Sequence, residues 1–262
     1  MVKGLDVFRE HFARYEDQYV LIGGTAATLA MTEAGLEFRA TKDLDIVLQM
    51  EALTPAFGAA IWAFVERGAY AIRQAGETGK PVLYRFQKPV STGFPAMIEL
   101  FCRAPEGIQI AAGAHLTPIP FDEVVASLSA ILLDDVYYRF IMDGRRTIDG
   151  LPWIGAEQLI PLKGHAWLDL SARRAAGEEV DAKNIRKHGN DVIRLMQLLT
   201  PDVQLRIAPK IADDLETFLT RLIADGTYDP THIHVELPLA EVVERLRRAY
   251  RRSGTNDEQS SE

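Results

Sequence analysis

Along the first 15 residues the apolar positions fall three and four apart, at Leu5, Phe8, Phe12 and Tyr15. That spacing predicts an amphipathic helix over 5–15. Residues 19–22 are short and apolar throughout, the pattern of a buried strand. Gly23-Gly24 then breaks the run, and 25–34 is rich in helix formers, so strand, glycine turn and helix follow one another. A second strand is predicted over 44–48. A long helix is predicted over 55–68, with Phe57, Ile61, Phe64 and Val65 on one side. Segments 81–87 and 96–102 read as two antiparallel strands joined by a turn around 89–93.

The pattern changes after about residue 120. Segment 124–133 is apolar with interspersed serines. Segment 136–151 alternates and contains Asp143-Gly144 and Asp149-Gly150, dipeptides that favour tight hairpin turns. Helices are predicted over 156–175, 190–199, 209–224 and 239–250, and the polar segment 253–262 is predicted to be disordered. The expected class is α+β: a mixed β-sheet with flanking helices over 1–125, then a mainly helical domain over 126–252 and the tail.

Composition narrows this picture only at a few points. The 262 residues suffice for one large or two small domains with a sizeable core. Cys102 is the single cysteine, so no internal disulfide forms, which fits a reducing compartment. Residues 1–18 are studded with charge, unlike a signal peptide, and no apolar run approaches the roughly 20 residues that span a bilayer. A cytoplasmic protein without a membrane partner is expected. The net charge of −8 argues against a general nucleic-acid coat. It also implies that phosphates, if handled, are held by a metal or a few placed cations.

Three short motifs carry candidate chemistry. Gly23-Gly24-Thr25 lies where a strand becomes a helix, so the free N–H groups of the helix start can meet a phosphate, with the Thr25 hydroxyl beside them. Alone, the same residues also read as an ordinary turn. Asp43 and Asp45 are two apart on a strand and share a face, while Leu44 and Ile46 enter the core. Two adjacent carboxylates repel unless a cation lies between them, and magnesium suits such hard oxygen donors. The other reading is a solvated edge. Glu99 stands in an otherwise apolar strand, and a buried carboxylate needs a partner. It either completes a three-carboxylate site or faces solvent.

Together, in this order, Gly23-Gly24-Thr25, Asp43-x-Asp45 and Glu99 resemble the polymerase-beta-like nucleotidyltransferase superfamily over roughly residues 19–102. The resemblance implies a nucleotidyltransferase-type sheet and a metal-bound nucleoside triphosphate held at Gly23, Gly24 and Thr25. It also implies two magnesium ions on Asp43, Asp45 and Glu99, which are the catalytic residues. Asp43 and Asp45 would hold the ion bound to the triphosphate. Asp45 and Glu99 would share the second, with Glu99 also available as general base.

Gly-Gly-Thr followed by Arg39-Ala40-Thr41-Lys42-Asp43-Leu44-Asp45 is similar to the AbiE-type branch, toxin-like enzymes of bacterial defence and toxin–antitoxin systems. That likeness implies a helical second half in which Lys163 and the Lys187–Asp191 stretch contribute. Arg39, Lys163 and Asp191 thereby join the nucleotide-binding candidates. The implied partners are an RNA acceptor such as a tRNA end, or a protein hydroxyl, and a cognate antitoxin. A small-molecule acceptor of aminoglycoside type and a non-catalytic nucleotide-binding protein are the alternatives. The chain departs from the branch where His188 replaces the usual first acid and where no lysine precedes Gly23.

From the residues alone, Lys163 also reads as a lysine reaching solvent along an amphipathic helix, Arg39 as a loop arginine, and His188 and Asp191 as helix-pairing groups. His232 and His234 alternate like a metal pair on a strand, without an obvious third ligand. Arg245, Arg247, Arg248, Arg251 and Arg252 form either an RNA-backbone surface or a solvated helix face balanced by Glu241 and Glu244.

Overall fold

The computed structural model describes residues 2–74, 81–104, 116–119 and 129–253. The expected tail beyond residue 253 and residues 124–128 of the apolar stretch lie outside the described residues. The chain is α+β and divides into two units, Met1–Gly155 and Ala156–Glu262.

In the first unit, α1 (Leu5–Phe12) precedes β1 (Tyr19–Ile22), α2 (Gly23–Glu33), β2 (Asp43–Leu48) and α3 (Pro55–Gly68). Strands β3 (Ala71–Gln74), β4 (Pro81–Gln87), β5 (Met97–Cys102), β6 (Leu116–Pro118) and β7 (Ser129–Leu132) follow. Helix α4 (Asp135–Asp143) and the strands β8 (Arg145–Ile148) and β9 (Leu151–Ile154) complete the unit. The sheet runs β3-β4-β5-β2-β1-β9-β8, with β7 parallel to β5 and β6 antiparallel to β7. Strand β2 lies antiparallel to β1 and parallel to β5, so it is central.

Alternation along β2 and β5 sets the faces. Leu44, Ile46, Leu48, Ile98, Leu100 and Cys102 are buried on one face, whereas Asp43, Asp45, Met97 and Glu99 occupy half-buried positions on the other. Burial pushes the Cys102 thiol up to about 12, so it stays a neutral core group. Helix α3 starts at Thr54, whose side chain accepts from the Phe57 N–H, with Pro55 in the first turn. Phe57 and Phe64 of α3 meet Phe8, Phe12 and Tyr19 in an aromatic cluster that ties α1 and α3 to β1.

The structure differs from the sequence reading at 136–151. Only Asp149-Gly150 closes a hairpin, between β8 and β9. Residues 135–143 are helical because Asp134 accepts from the Val136 N–H and Tyr137, Tyr138 and Ile141 share a buried stripe; Gly144 ends that helix. The hairpin then pairs β9 parallel to β1, through Leu21 and Trp153. For that reason residues up to Gly155 belong to the sheet unit, and the division falls later than the expected 125.

The second unit holds α5 (Ala156–Ala175), α6 (Ala182–Leu195), α7 (Pro209–Asp225) and α8 (Leu239–Ala249), with a short parallel pair, β10 (Leu205–Ile207) and β11 (Tyr250–Arg252). Helix α6 starts earlier than the expected residue 190, because Asp181 caps it by accepting from the Lys183 N–H. Gly189 lies so close to the Tyr228 ring that a methyl there would sit 2.5 Å from Cε1, and Tyr228 accepts a 2.8 Å hydrogen bond from Trp167 of α5. No helix among the described residues is long and apolar enough to cross a membrane.

Candidate active site

The pairing of β5 with β2 decides the position of Glu99. The register sets Asp45 directly opposite Glu99, and Asp43 opposite Met97. Neighbouring strands run about 4.8 Å apart, and residues directly paired point to the same side. Asp43, Asp45 and Glu99 therefore share one face, as the sequence reading required.

One more residue joins this row. Strand β4 runs antiparallel to β5 and puts Arg85 opposite Glu99. Nε and Nη2 of Arg85 both approach Oε1 of Glu99, with the side chains 31% and 13% exposed. The row across the sheet is thus Arg85, Glu99, Asp45. Sequence reasoning did not single out Arg85. The available signal was a cation within the strand 81–87, but its partner follows only from the β4–β5 register.

Helix α2 begins at Gly23 itself, directly after β1. Ile22 pairs with Asp45, so the helix start sits beside the carboxylate row. Gly23 has φ +66°, and a Cβ there would overlap Oδ2 of Asp45. A Cβ on Gly24 would lie 2.6 Å from Thr41 Oγ1 and 3.6 Å from an Arg39 terminal nitrogen. The two glycines thus let Asp45, Thr41 and Arg39 close in on the first turn of α2. Gly23→Ala is expected to lower stability by about 1–2 kcal/mol from the left-handed backbone alone. It should also displace Asp45. Urea unfolding checks the first effect and a crystal structure of the variant the second, where an unmoved carboxylate would show that Asp45 tolerates the added methyl.

Thr25 corrects an expectation. Its side chain is fully buried, and its hydroxyl donates to the Asp43 carbonyl at 2.8 Å. It fastens α2 to β2 and does not present its hydroxyl to a phosphate. Arg39 does lie by the turn, with Nη2 3.6 Å from where a Gly24 Cβ would stand, and its guanidinium sits 5.2 Å from the Phe38 ring centre. It borders an open groove of about 580 Å³ lined by Thr28, Thr32, Leu36, Phe38 and Thr41.

Lys163 and Asp191 are brought together in the second unit, but with each other. Nζ donates to Oδ2 at 2.8 Å, and the residues are 4% and 0% exposed. Each charge is removed from solvent and paired with the other, and Arg194 lies 3.8 Å from Oδ1 of Asp191. His232 and His234 are not on a strand. The first lies in a 3-10 turn (Pro230–Ile233), and the second is its left-handed cap at φ +61°. Of the five arginines at 245–252, Arg245 pairs with Glu241, Arg247 with Glu216 and Glu244, and Arg252 with Asp213. That favours the balanced-face reading for these three.

Magnesium is bound through one or two carboxylates together with waters and substrate phosphates. Asp43 and Asp45, half-buried on one strand face, suit that donor set. Glu99 faces the same way, but Arg85 engages its Oε1. Among the described residues no three His, Cys, Asp or Glu side chains converge closely enough to hold an ion. Asp43 and Asp45 are the residues that would hold such an ion.

No family model matches the chain, and no curated protein sequence matches it. Solved structures give similarities of low identity. A nucleotidyltransferase-like antigenic protein from Paracoccidioides brasiliensis is 15% identical, with 93% of this chain and 94% of that one covered and a TM-score of 0.48. JHP933 from Helicobacter pylori is 13% identical, with 93% and 86% covered and a TM-score of 0.39.

Proposed function

We propose that this protein is a magnesium-dependent nucleotidyltransferase, moving a nucleoside monophosphate from a nucleoside triphosphate to an acceptor hydroxyl. The observation that carries the reading is the register that places Asp45 opposite Glu99 on the face of Asp43, with the glycine-led start of α2 pressed against Asp45. The order of these motifs in the sequence supports it.

In this reading Asp43 and Asp45 hold a magnesium ion, which when bound offsets the charge of the triphosphate. The first-turn N–H groups of α2 and the Arg39 guanidinium bind phosphate oxygens. The acceptor oxygen forms a bond to the α-phosphorus as the bond to the β-phosphate breaks, and pyrophosphate leaves. The hydroxyl proton passes to Glu99, whose Oε2 is the oxygen not engaged by Arg85. The likeness of residues 39–45 to the AbiE-type toxins supports an RNA acceptor, such as a tRNA end, or a protein hydroxyl, with a cognate antitoxin as partner. Lys163 and Asp191, which the likeness also implies, pair with each other within the second unit.

The engagement of Glu99 by Arg85 favours one second reading, a nucleotide-binding protein of the same architecture without transfer. Incubation with α-labelled triphosphates, magnesium and total RNA separates the two. Labelled RNA is expected; magnesium-dependent binding with no label on RNA, protein or small acceptors would favour the second reading. The absence of magnesium-dependent binding would sink both.

A further inference from the structure

Resting on the transfer reading, in which Glu99 takes the acceptor proton, we infer that Arg85 is the positioning residue of that base: it tethers one carboxylate oxygen and leaves the other for the proton. The mode of contact carries this. Nε and Nη2 of Arg85 both converge on Oε1 of Glu99, whereas a fork across the carboxylate would have taken both oxygens. Among the described residues nothing engages Oε2. The register puts Arg85 on the β4 side of Glu99 and Asp45 on the β2 side, so the tether stays out of the space between the two acids.

A tether matters here because of the length of the side chain. Glutamate turns about three torsions, and an untethered carboxylate on a strand face spreads over several rotamers. A general base acts only while its oxygen stays within hydrogen-bond reach of the hydroxyl. Arg85 narrows that spread from the paired strand β4, with its guanidinium carbon 5.6 Å from the Tyr84 ring centre. A charge-assisted contact with a carboxylate only 13% exposed holds better than a solvated ion pair. A pair that served only to tie β4 to β5 would behave differently, since its loss would lower stability and leave the chemistry of Glu99 as it was.

The test measures two quantities on the full chain: label transfer from α-labelled triphosphates to total RNA with magnesium, and magnesium-dependent affinity for the triphosphate that labels best. Arg85→Ala is expected to slow transfer by about 10- to 100-fold, the scale on which a misplaced group costs rate, and to change affinity by less than about twofold. Glu99→Gln should slow transfer at least as much. Adding Arg85→Ala to Glu99→Gln should slow it by less than about twofold more, because Arg85 acts through Glu99. Arg85→Gln carries the same expectations as Arg85→Ala, with folding of each variant followed by circular dichroism.

An active wild type with folded Arg85 variants that transfer at its rate would overturn the inference and leave the proposed function standing. So would a full further slowing by Arg85→Ala in the Glu99→Gln background, which would place its effect elsewhere. A loss of triphosphate affinity to match the loss of rate would put Arg85 on the substrate and overturn the inference as well. If neither Arg85 variant folds, the pair serves the fold and the inference falls. A wild type that binds no triphosphate with magnesium would overturn the proposed function itself, and one that binds without transferring label would overturn the transfer reading on which the role of Arg85 rests.

Discussion

Asp45→Asn is expected to weaken magnesium-dependent nucleoside triphosphate binding by roughly a hundredfold or more and to leave the fold intact. Asparagine matches the shape of aspartate, so the tight space against Gly23 stays filled. What is lost is the charge that holds the ion. Metal stabilisation of phosphoryl oxygens amounts to several kcal/mol, and about 3 kcal/mol is already about a hundredfold. The melting temperature of the apo variant should stay close to that of wild type, because the substitution keeps the shape of the side chain against Gly23. Calorimetric titration with Mg-ATP and a thermal melt measure the two effects. A lower melting temperature with unchanged binding would mean that Asp45 serves the fold alone.

Lys163→Met should act on stability instead. It leaves Asp191, fully buried, with its main countercharge removed. Breaking one side of a buried ion pair costs about 3–5 kcal/mol. Arg194, 3.8 Å from Oδ1 of Asp191, offsets part of that, so the lower end is expected. The double variant Lys163→Met/Asp191→Leu should recover most of the loss, because an apolar pair of similar volume removes both desolvation penalties. Urea unfolding of the single and double variants reads this directly. If Lys163 instead reached a nucleotide, the single variant would lose binding with little change in stability, and the double variant would rescue nothing.

Much of the site was legible in advance because it depends on local geometry. Strand alternation alone put Asp43 and Asp45 on one face and Leu44 and Ile46 in the core. The glycine break after an apolar strand located the start of a helix. The same reasoning misjudged 135–143, where Asp-Gly suggested a hairpin turn and Asp134 instead caps a helix. It also misjudged Thr25, whose hydroxyl has a backbone acceptor 18 positions further along the chain.

By itself, then, the sequence determined the glycine-led helix, the two-carboxylate face and the α+β class, because each follows from repeats of two or 3.6 residues within one segment. Only the tertiary structure decided that Glu99 faces Asp45, that Arg85 closes the row, and that Lys163 and Asp191 neutralise each other. Those choices of neighbour are set by strand register and helix packing between distant segments. That register minimises the free energy of a whole buried core, and no local pattern encodes which of several acids will stand across from a given cation.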